Sequence, residues 1–324
     1  MFIDKFTLAI IATAVSACLF PLPHQALAFV GYFSSVGISC LFFFYGARLS
    51  RQAIVEGAMQ WKLHALIVLC TFVFFPILGL IIRPFIQNIF TPELILGIIF
   101  ICLLPSTIQS SIALTSIAGG NVAAAICAAS LSSLLGIFIT PLLLASFTHV
   151  KRDFYQSIDS IISIIIQLCI HFIVGHLMQQ KLSHWITRNR SLLRFLDQGI
   201  ILIIIYKAFS EAIHGNLWKN IPLTTLVSIF LVVLGIFAIA FTSILWLARF
   251  LKLTRADAIT LVFCGSKKSL ATGVTIANVM FPSNLLSVIV LPLMFYHQIQ
   301  LLVCTFFAQK YALDEKKSEI VRKV

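Results

Sequence analysis

Acid is what this chain lacks. Asp and Glu supply 11 of its 324 residues, against 23 Lys and Arg. No acid occurs between Glu93 and Asp153, nor between Asp257 and Asp314. Charge of either sign is scarce too, at 10% of residues. Soluble domains carry about 25%. With 60% hydrophobic residues, that excludes a soluble globular protein. CxxC pairs are absent. Cys18, Cys40, Cys70, Cys102, Cys127, Cys169, Cys264 and Cys304 all lie in apolar runs. They read as small hydrophobes, not as disulfide partners or metal ligands. No GxSxG, HExxH, P-loop or paired-carboxylate pattern occurs, so no enzyme and no cofactor are expected. No polar stretch is large enough for a nucleotide domain, which argues against an ATP-driven pump.

Apolar runs of spanning length are what the chain does have. Ten are expected, near 7–21, 29–49, 63–83, 94–117, 121–147, 157–178, 198–215, 222–248, 257–279 and 285–308. The first resembles a signal-peptide core, but no small-residue cleavage pattern leads from it into a soluble domain, so it is kept as a helix. The polar stretch 179–197 is expected as an interfacial helix, and 50–61 as a similar short connector. The net charge of +12 first suggests nucleic acid, but its arrangement points to a bilayer. With ten spans, one face collects Lys5, Arg48, Arg51, Lys62, the 181–194 cluster, Arg249, Lys252, Arg255 and the tail lysines and arginines. The other face holds only Arg83, Lys151, Arg152 and Lys219. The positive-inside rule then places both termini in the cytoplasm.

An internal echo joins the two halves. Ser111-Ile112-Ala113-Leu114-Thr115, with Ile117-Ala118 and Asn121, parallels Ser269-Leu270-Ala271-Thr272, with Ile276-Ala277-Asn278. Downstream, Thr140-Pro141-Leu142-Leu143 parallels Leu291-Pro292-Leu293-Met294. The matches fall on the fourth and fifth spans and on the ninth and tenth, which implies two five-helix repeats. Five is odd, so the repeats are inverted, an architecture of secondary transporters.

Polar residues inside the spans mark the candidate site. Lys267 and Lys268 sit in the run TLVFCGSKKSLATGVTIANVM, flanked by apolar residues. A charge near the bilayer centre costs roughly 2.5–3.5 kcal/mol, so such residues normally face a cavity or a partner. Gly265, Ser266, Ser269, Thr272 and Gly273 give this segment the composition of a broken helix. On a regular helix adjacent lysines point about 100° apart, so both reach one cavity only if the helix unwinds. A matching break is expected near Pro105, with Ser106, Thr107, Gln109, Ser110 and Ser111 around it. Freed carbonyls and hydroxyls there can hold a cation or a solute; a Ser/Thr packing seam is the plainer alternative. Gln298, near His297 and Gln300, is a further cavity-lining candidate. Lys207 and Glu211 lie four apart and read as a structural ion pair, with a gate or proton relay as the alternative.

These features resemble the bile acid:sodium symporter family. The resemblance rests on the ten spans, the inverted repeats, the Gly120-Asn121 turn and the strings AGGNVAAA and GSKKSLA, and covers about residues 1–310. The two strings resemble the branch of bacterial symporters related to sodium/bile acid cotransporter 7. The resemblance implies a panel of helices and a core whose fourth and ninth spans cross at mid-membrane. Substrate would bind beside the crossing and move by alternating access. Sodium-coupled relatives use a Glu and a Gln at the ninth-span break, with hydroxyls and an Asn from the fourth and fifth spans. Here the Glu position falls at about Phe263, and the next polar positions near Lys267 and Lys268. The fifth-span hydroxyl positions fall at Ala125 and Ala129, with Ser130 beside them.

The expected fold is therefore an all-α integral membrane protein of ten transmembrane helices in two inverted repeats. One transporter domain is expected over 1–310, with repeats 1–150 and 151–310, and a cytoplasmic tail over 311–324. The expected function is secondary transport of a small organic anion or amphipathic solute across the inner membrane. Its partners would be that solute, a coupling ion (proton or sodium) and the lipid bilayer, with no nucleic acid. A lysine would take the place of sodium. The alternatives are sodium symport by carbonyls and hydroxyls alone, and a non-transporting membrane regulator. Binding residues are expected among Gln109, Ser110, Ser111, Ser130, Gly265, Ser266, Lys267, Lys268, Ser269 and Gln298, with Lys207 and Glu211 as gate or ion pair and no metal site.

Overall fold

The computed structural model describes residues 5–48, 60–147, 169–215 and 222–323, and every regular element among them is helical. In chain order these are α1 (Lys5–Leu19), α2 (His24–Arg48), α3 (Trp61–Ile86), α4 (Pro92–Leu103), α5 (Gln109–Ile117), α6 (Val122–Phe147) and α7 (169–177). They continue with α8 (Gln179–Arg188), α9 (Arg190–His214), α10 (Leu223–Phe250), α11 (Arg255–Gly265), α12 (Leu270–Met280) and α13 (Ser283–Lys323). Among the described residues, five helices are long and apolar enough to cross a membrane: α2, α3, α6, α10 and the Ser283–Asp314 part of α13. Leu8–Leu19 and Pro92–Leu103 are shorter apolar helices.

The apolar stretches 94–117 and 257–279 are each broken into two helices, as expected, α4 with α5 and α11 with α12. The stretch 179–197 is not one helix. Asn189 divides it, with non-helical backbone angles of φ -107 and ψ 28. Its N–H and its side-chain amide both donate to the Trp185 carbonyl and close the end of α8. The 157–178 run is described only from residue 169, and the 50–61 connector only at Gln60 and Trp61. Residues 311–323 continue the helix of α13.

The breaks and turns follow from side-chain chemistry. Helix α4 opens with Pro92 in its first turn and Glu93 beside the positive helix end. Both are favoured there. It stops because Leu104 precedes Pro105 and takes the extended backbone that such a residue prefers. Helix α5 ends in a Schellman turn built on Gly119, whose φ is positive. Gly120 N–H donates to the Thr115 carbonyl there, and Gly119 N–H to Ser116. Asn121 then caps α6, its Oδ1 accepting from Ala124 N–H at 3.1 Å. The same Asn121 donates to Gln60 at 3.0 Å and Asp257 at 3.1 Å. That pins the starts of α3, α6 and α11 at one end of the bundle.

Two packing groups emerge. Helices α1, α2 and α8 gather on α9, while α3 to α6 pack with α11, α12 and α13. Helix α9 also touches α12 and α13. Backbone approaches are close where glycine permits. A Cβ on Gly97 of α4 would lie 2.7 Å from the Ile289 carbonyl of α13. Gly46 of α2 and Gly175 of α7 lie against backbone of the other helix, with no room for a methyl group at either. Such small-residue seams are how helices associate where lipid supplies no hydrophobic drive.

Candidate functional site

A helix that stops at membrane depth strands its last carbonyls, and each must find a donor. At the end of α4 each carbonyl from Ile101 to Pro105 has one. Ile101 accepts from Leu104 N–H at 3.3 Å, and Leu103 from the Thr140 hydroxyl at 2.8 Å. Pro105 accepts from Ser269 N–H at 2.9 Å. Cys102 would ordinarily accept from Ser106 N–H, but that proton goes to Ser132 Oγ at 2.9 Å. Cys102 and Leu104 are served instead by the Lys268 ammonium, at 3.3 and 2.7 Å.

That ammonium makes a third bond, to the Thr71 carbonyl at 3.0 Å. Thr71 lies in the π turn Cys70–Phe74 of α3, where Phe75 N–H donates to Cys70. The next candidate donor is Pro76, which has no N–H, so the helix leaves Thr71 unserved. The Phe75 ring covers the charge from 4.0 Å. Lys268 is 0% exposed. Hydrogen bonds from a charged group contribute roughly 1.5–3 kcal/mol each, and a desolvated cation–π contact about 2 kcal/mol. These terms offset the burial of the charge.

The end of α11 is served from the opposite break. Ser106 Oγ donates to the Cys264 carbonyl at 2.5 Å, and Ser111 Oγ to Phe263 at 3.0 Å. The two breaks therefore meet, each capping the other. The segment 266–269 is held from α13. Tyr296 donates to the Ser266 carbonyl at 2.7 Å. Gln300 accepts from Lys268 N–H at 2.8 Å and donates to its carbonyl at 2.9 Å. Helix α12 then restarts with Ser269 as N-cap, its Oγ accepting from Thr272 N–H at 3.2 Å. A serine is a preferred residue at that position.

Lys267 turns the other way. It too is 0% exposed, and its ammonium donates to Ser110 Oγ at 2.6 Å, its one hydrogen-bond acceptor among the described residues. Ser110 and Ser111 both lie within hydrogen-bond distance of Thr107 Oγ1, at 2.9 and 2.7 Å. Each hydroxyl has one proton to give. Since Ser111 gives its proton to Phe263, Thr107 donates to Ser111 and Ser110 donates to Thr107. A directed chain thus runs from Lys267 through Ser110, Thr107 and Ser111 to the Phe263 carbonyl. Ser110 lies in the first turn of α5, whose start carries no side-chain cap. The positive helix end is beside it. The acceptors of both ammonium groups are neutral. The acid nearest in sequence on α11, Asp257, is engaged with Asn121 and Thr254.

The remaining candidates divide. Gly265, Ser266 and Ser269 form the break between α11 and α12 and its cap. Ser110 is half-buried and Gln109 exposed at the rim of α5. Near Ser130, the hydroxyl that reaches the crossing is Ser132, two residues on. In α13 the glutamine that reaches the break is Gln300, not Gln298, whose buried Nε2 has no partner among the described residues. Both lysines meet protein acceptors rather than an open cavity, because the break unwinds and aims them at different helix ends. Lys207 and Glu211 pair at 3.3 Å on α9. Sequence reasoning missed Ser132, Thr71, Tyr296 and Gln300. A readable signal existed for Thr71, the helix-interior Pro76 five residues on. Tyr296 and Gln300 share a face at i,i+4 spacing.

Buried charge on paired helix breaks inside an apolar bundle is an arrangement that membrane transporters use. The chain belongs to the SBF-like CPA transporter family, whose sequence pattern matches residues 4–313. It is therefore a multi-pass membrane protein. It is 47% identical over 309 residues to protein PA2026 of Pseudomonas aeruginosa, covering 95% of this chain and 93% of that one. It is 42% identical to YfeH of Escherichia coli, named as a candidate symporter, over the same shares. It is 32% identical over 279 residues to sodium/bile acid cotransporter 7 of Xenopus tropicalis, covering 83% of this chain and 79% of the relative.

Proposed function

We propose that this chain is a secondary active transporter that moves a small organic anion or amphipathic solute by alternating access, with a lysine in place of a bound sodium ion. The carrying observation is the Lys267 ammonium, buried beside the uncapped positive end of α5 with one neutral acceptor. Two of its donors await an acceptor, and a helix amino end favours anions. Gln109 and Ser110 form the polar rim through which an anion reaches it as the helices part. The reading extends to the architecture: ten spans in inverted repeats over 1–150 and 151–310, both termini cytoplasmic, in the inner membrane. The opposed helix pairs at the two breaks and the clustered starts of α3, α6 and α11 support it.

Sodium fits poorly beside such a charge. At ~4 Å and an effective dielectric of about 20, two unit charges repel by roughly 4 kcal/mol. That weakens sodium binding by about a thousandfold. The relatives named for sodium and bile acid make sodium coupling the reading to test against. Protonation of Lys267 would instead supply the coupling, since a buried lysine can exchange its proton.

The experiment is flux of labelled organic anions into proteoliposomes under imposed sodium or proton gradients. Uptake is expected without sodium, falling as the pH is raised through the range where Lys267 loses its proton. It should vanish in Lys267→Ala, and Lys267→Gln should regain some sodium dependence by supplying an oxygen ligand. Strict sodium dependence in the unmutated chain, or full activity in Lys267→Ala, overturns the proposal. Solute binding without flux would make the chain a membrane regulator.

A further inference from the structure

The three carbonyls around Lys268 are exposed for three separate backbone reasons. Thr71 loses its donor to the π turn and to Pro76. Cys102 loses its donor because Ser106 N–H turns to Ser132. Leu104 lies beyond the last turn of α4, in extended backbone before Pro105. None of these reasons involves Lys268. The oxygens, and the Phe75 ring that closes the fourth side at 4.0 Å, belong to α3 and the end of α4, with Ser132 of α6 drawing off the Ser106 proton. The break between α11 and α12 delivers only the occupant.

We propose that α3 and α4 build a monovalent-cation site, and that Lys268 is its tethered cation. The donor set fixes the ligand class. Carbonyl oxygens without a carboxylate replace the hydration shell of a singly charged ion but do not neutralise a divalent one. Nitrogen–oxygen distances of 3.0, 3.3 and 2.7 Å suit an ammonium-sized ion. Hard divalent ions need contacts of about 2.0–2.6 Å. An aromatic face likewise favours a bulky, weakly hydrated cation such as ammonium, an alkylammonium or potassium. Filling the site from within the chain keeps the end of α4 capped at every moment and makes the crossing indifferent to dissolved cations. The proposal stands whether or not the chain carries a solute.

The test is chemical rescue of the full-length, detergent-purified chain, read by thermal unfolding. Lys268→Ala removes three methylene groups and the nitrogen, the skeleton of n-propylammonium. The unmutated chain should melt at one temperature in sodium, potassium, ammonium or alkylammonium chloride. Lys268→Ala should melt lower and rise by several degrees with n-propylammonium. Ethylammonium, ammonium and potassium should give smaller rises, and sodium and tetramethylammonium none. Lys267→Ala should not respond to the series, and Lys268→Met should not either, because its own stem fills the space. A flat response in Lys268→Ala, or an equal one in Lys267→Ala or the unmutated chain, overturns the proposal. If Lys268→Ala does not accumulate, folded yield from cells grown with n-propylamine becomes the readout. Recovery specific to that amine supports the site, and no recovery overturns it. Loss of transport in the flux assay with intact rescue would count against the transporter reading alone.

Discussion

The ends of α4 and α11 face the same shortage of donors and finish at neighbouring lysines by different routes. At α4 the Lys268 ammonium touches the carbonyls itself, three of them, with a ring behind it. At α11 the charge arrives second-hand: Lys267 reaches Phe263 only through Ser110, Thr107 and Ser111, while Ser106 caps Cys264 with no charge at all. Direct capping concentrates the stability of one break in a single side chain. Relayed capping spreads it over several hydroxyls and leaves an ammonium with donors to spare. A lysine that is spent on structure and one that is free for a ligand can therefore stand side by side in sequence.

The sharpest way to break this comparison is Lys268→Met. It strands three carbonyls, each of which costs roughly 1–3 kcal/mol when buried without a donor. Unfolding of the purified chain measures it, and a loss below that of Ser106→Ala would erase the distinction. Ser106→Ala leaves the Cys264 carbonyl without its donor and should cost about 1–3 kcal/mol. Lys267→Met should be close to neutral in the same assay, because a buried charge with little support can be replaced by a hydrophobe without loss. Its effect belongs in the flux assay, where activity should disappear. The smallest effect is expected at Glu211→Gln. The pair with Lys207 should contribute up to about 1 kcal/mol, and transport per folded molecule should be spared. Reduced flux with an unchanged melting temperature would move that pair into a gate.

Much of the crossing was legible because breaks need special residues. Pro105 ends one helix for steric reasons, and the small polar run from Gly265 to Ser269 interrupts an otherwise apolar span. The Gly120-Asn121 turn was legible for the same reason, a left-handed Gly119 followed by an N-cap. The aim of each lysine was not. Ser110 lies 157 positions from Lys267 and Thr71 lies 197 from Lys268. For Lys268 the acceptors are main-chain oxygens, which no residue type advertises. That Gln300 holds the break was not legible either, since Gln298 and Gln300 are both polar on one helix and only packing decides which faces it. The bidentate pair between Arg48 and Asp197, at 2.7 and 3.3 Å, was also missed. Neither residue alone points to the other across so long a stretch of chain.

The two bonds that Gln300 makes with Lys268 have a consequence in time. An unwound stretch normally trades its amide hydrogens with solvent quickly. Here the Lys268 hydrogen is given to Gln300, that of Ser269 to Pro105, and that of Ser266 to Val262. Lys268 and Ser269, outside any helix, thus hold their amide hydrogens as helical residues do, and deuterium enters them when α13 or the end of α4 moves off the break. The rate at which those few amides take up deuterium is a clock for the opening of the crossing, readable in a chain that has never met its solute.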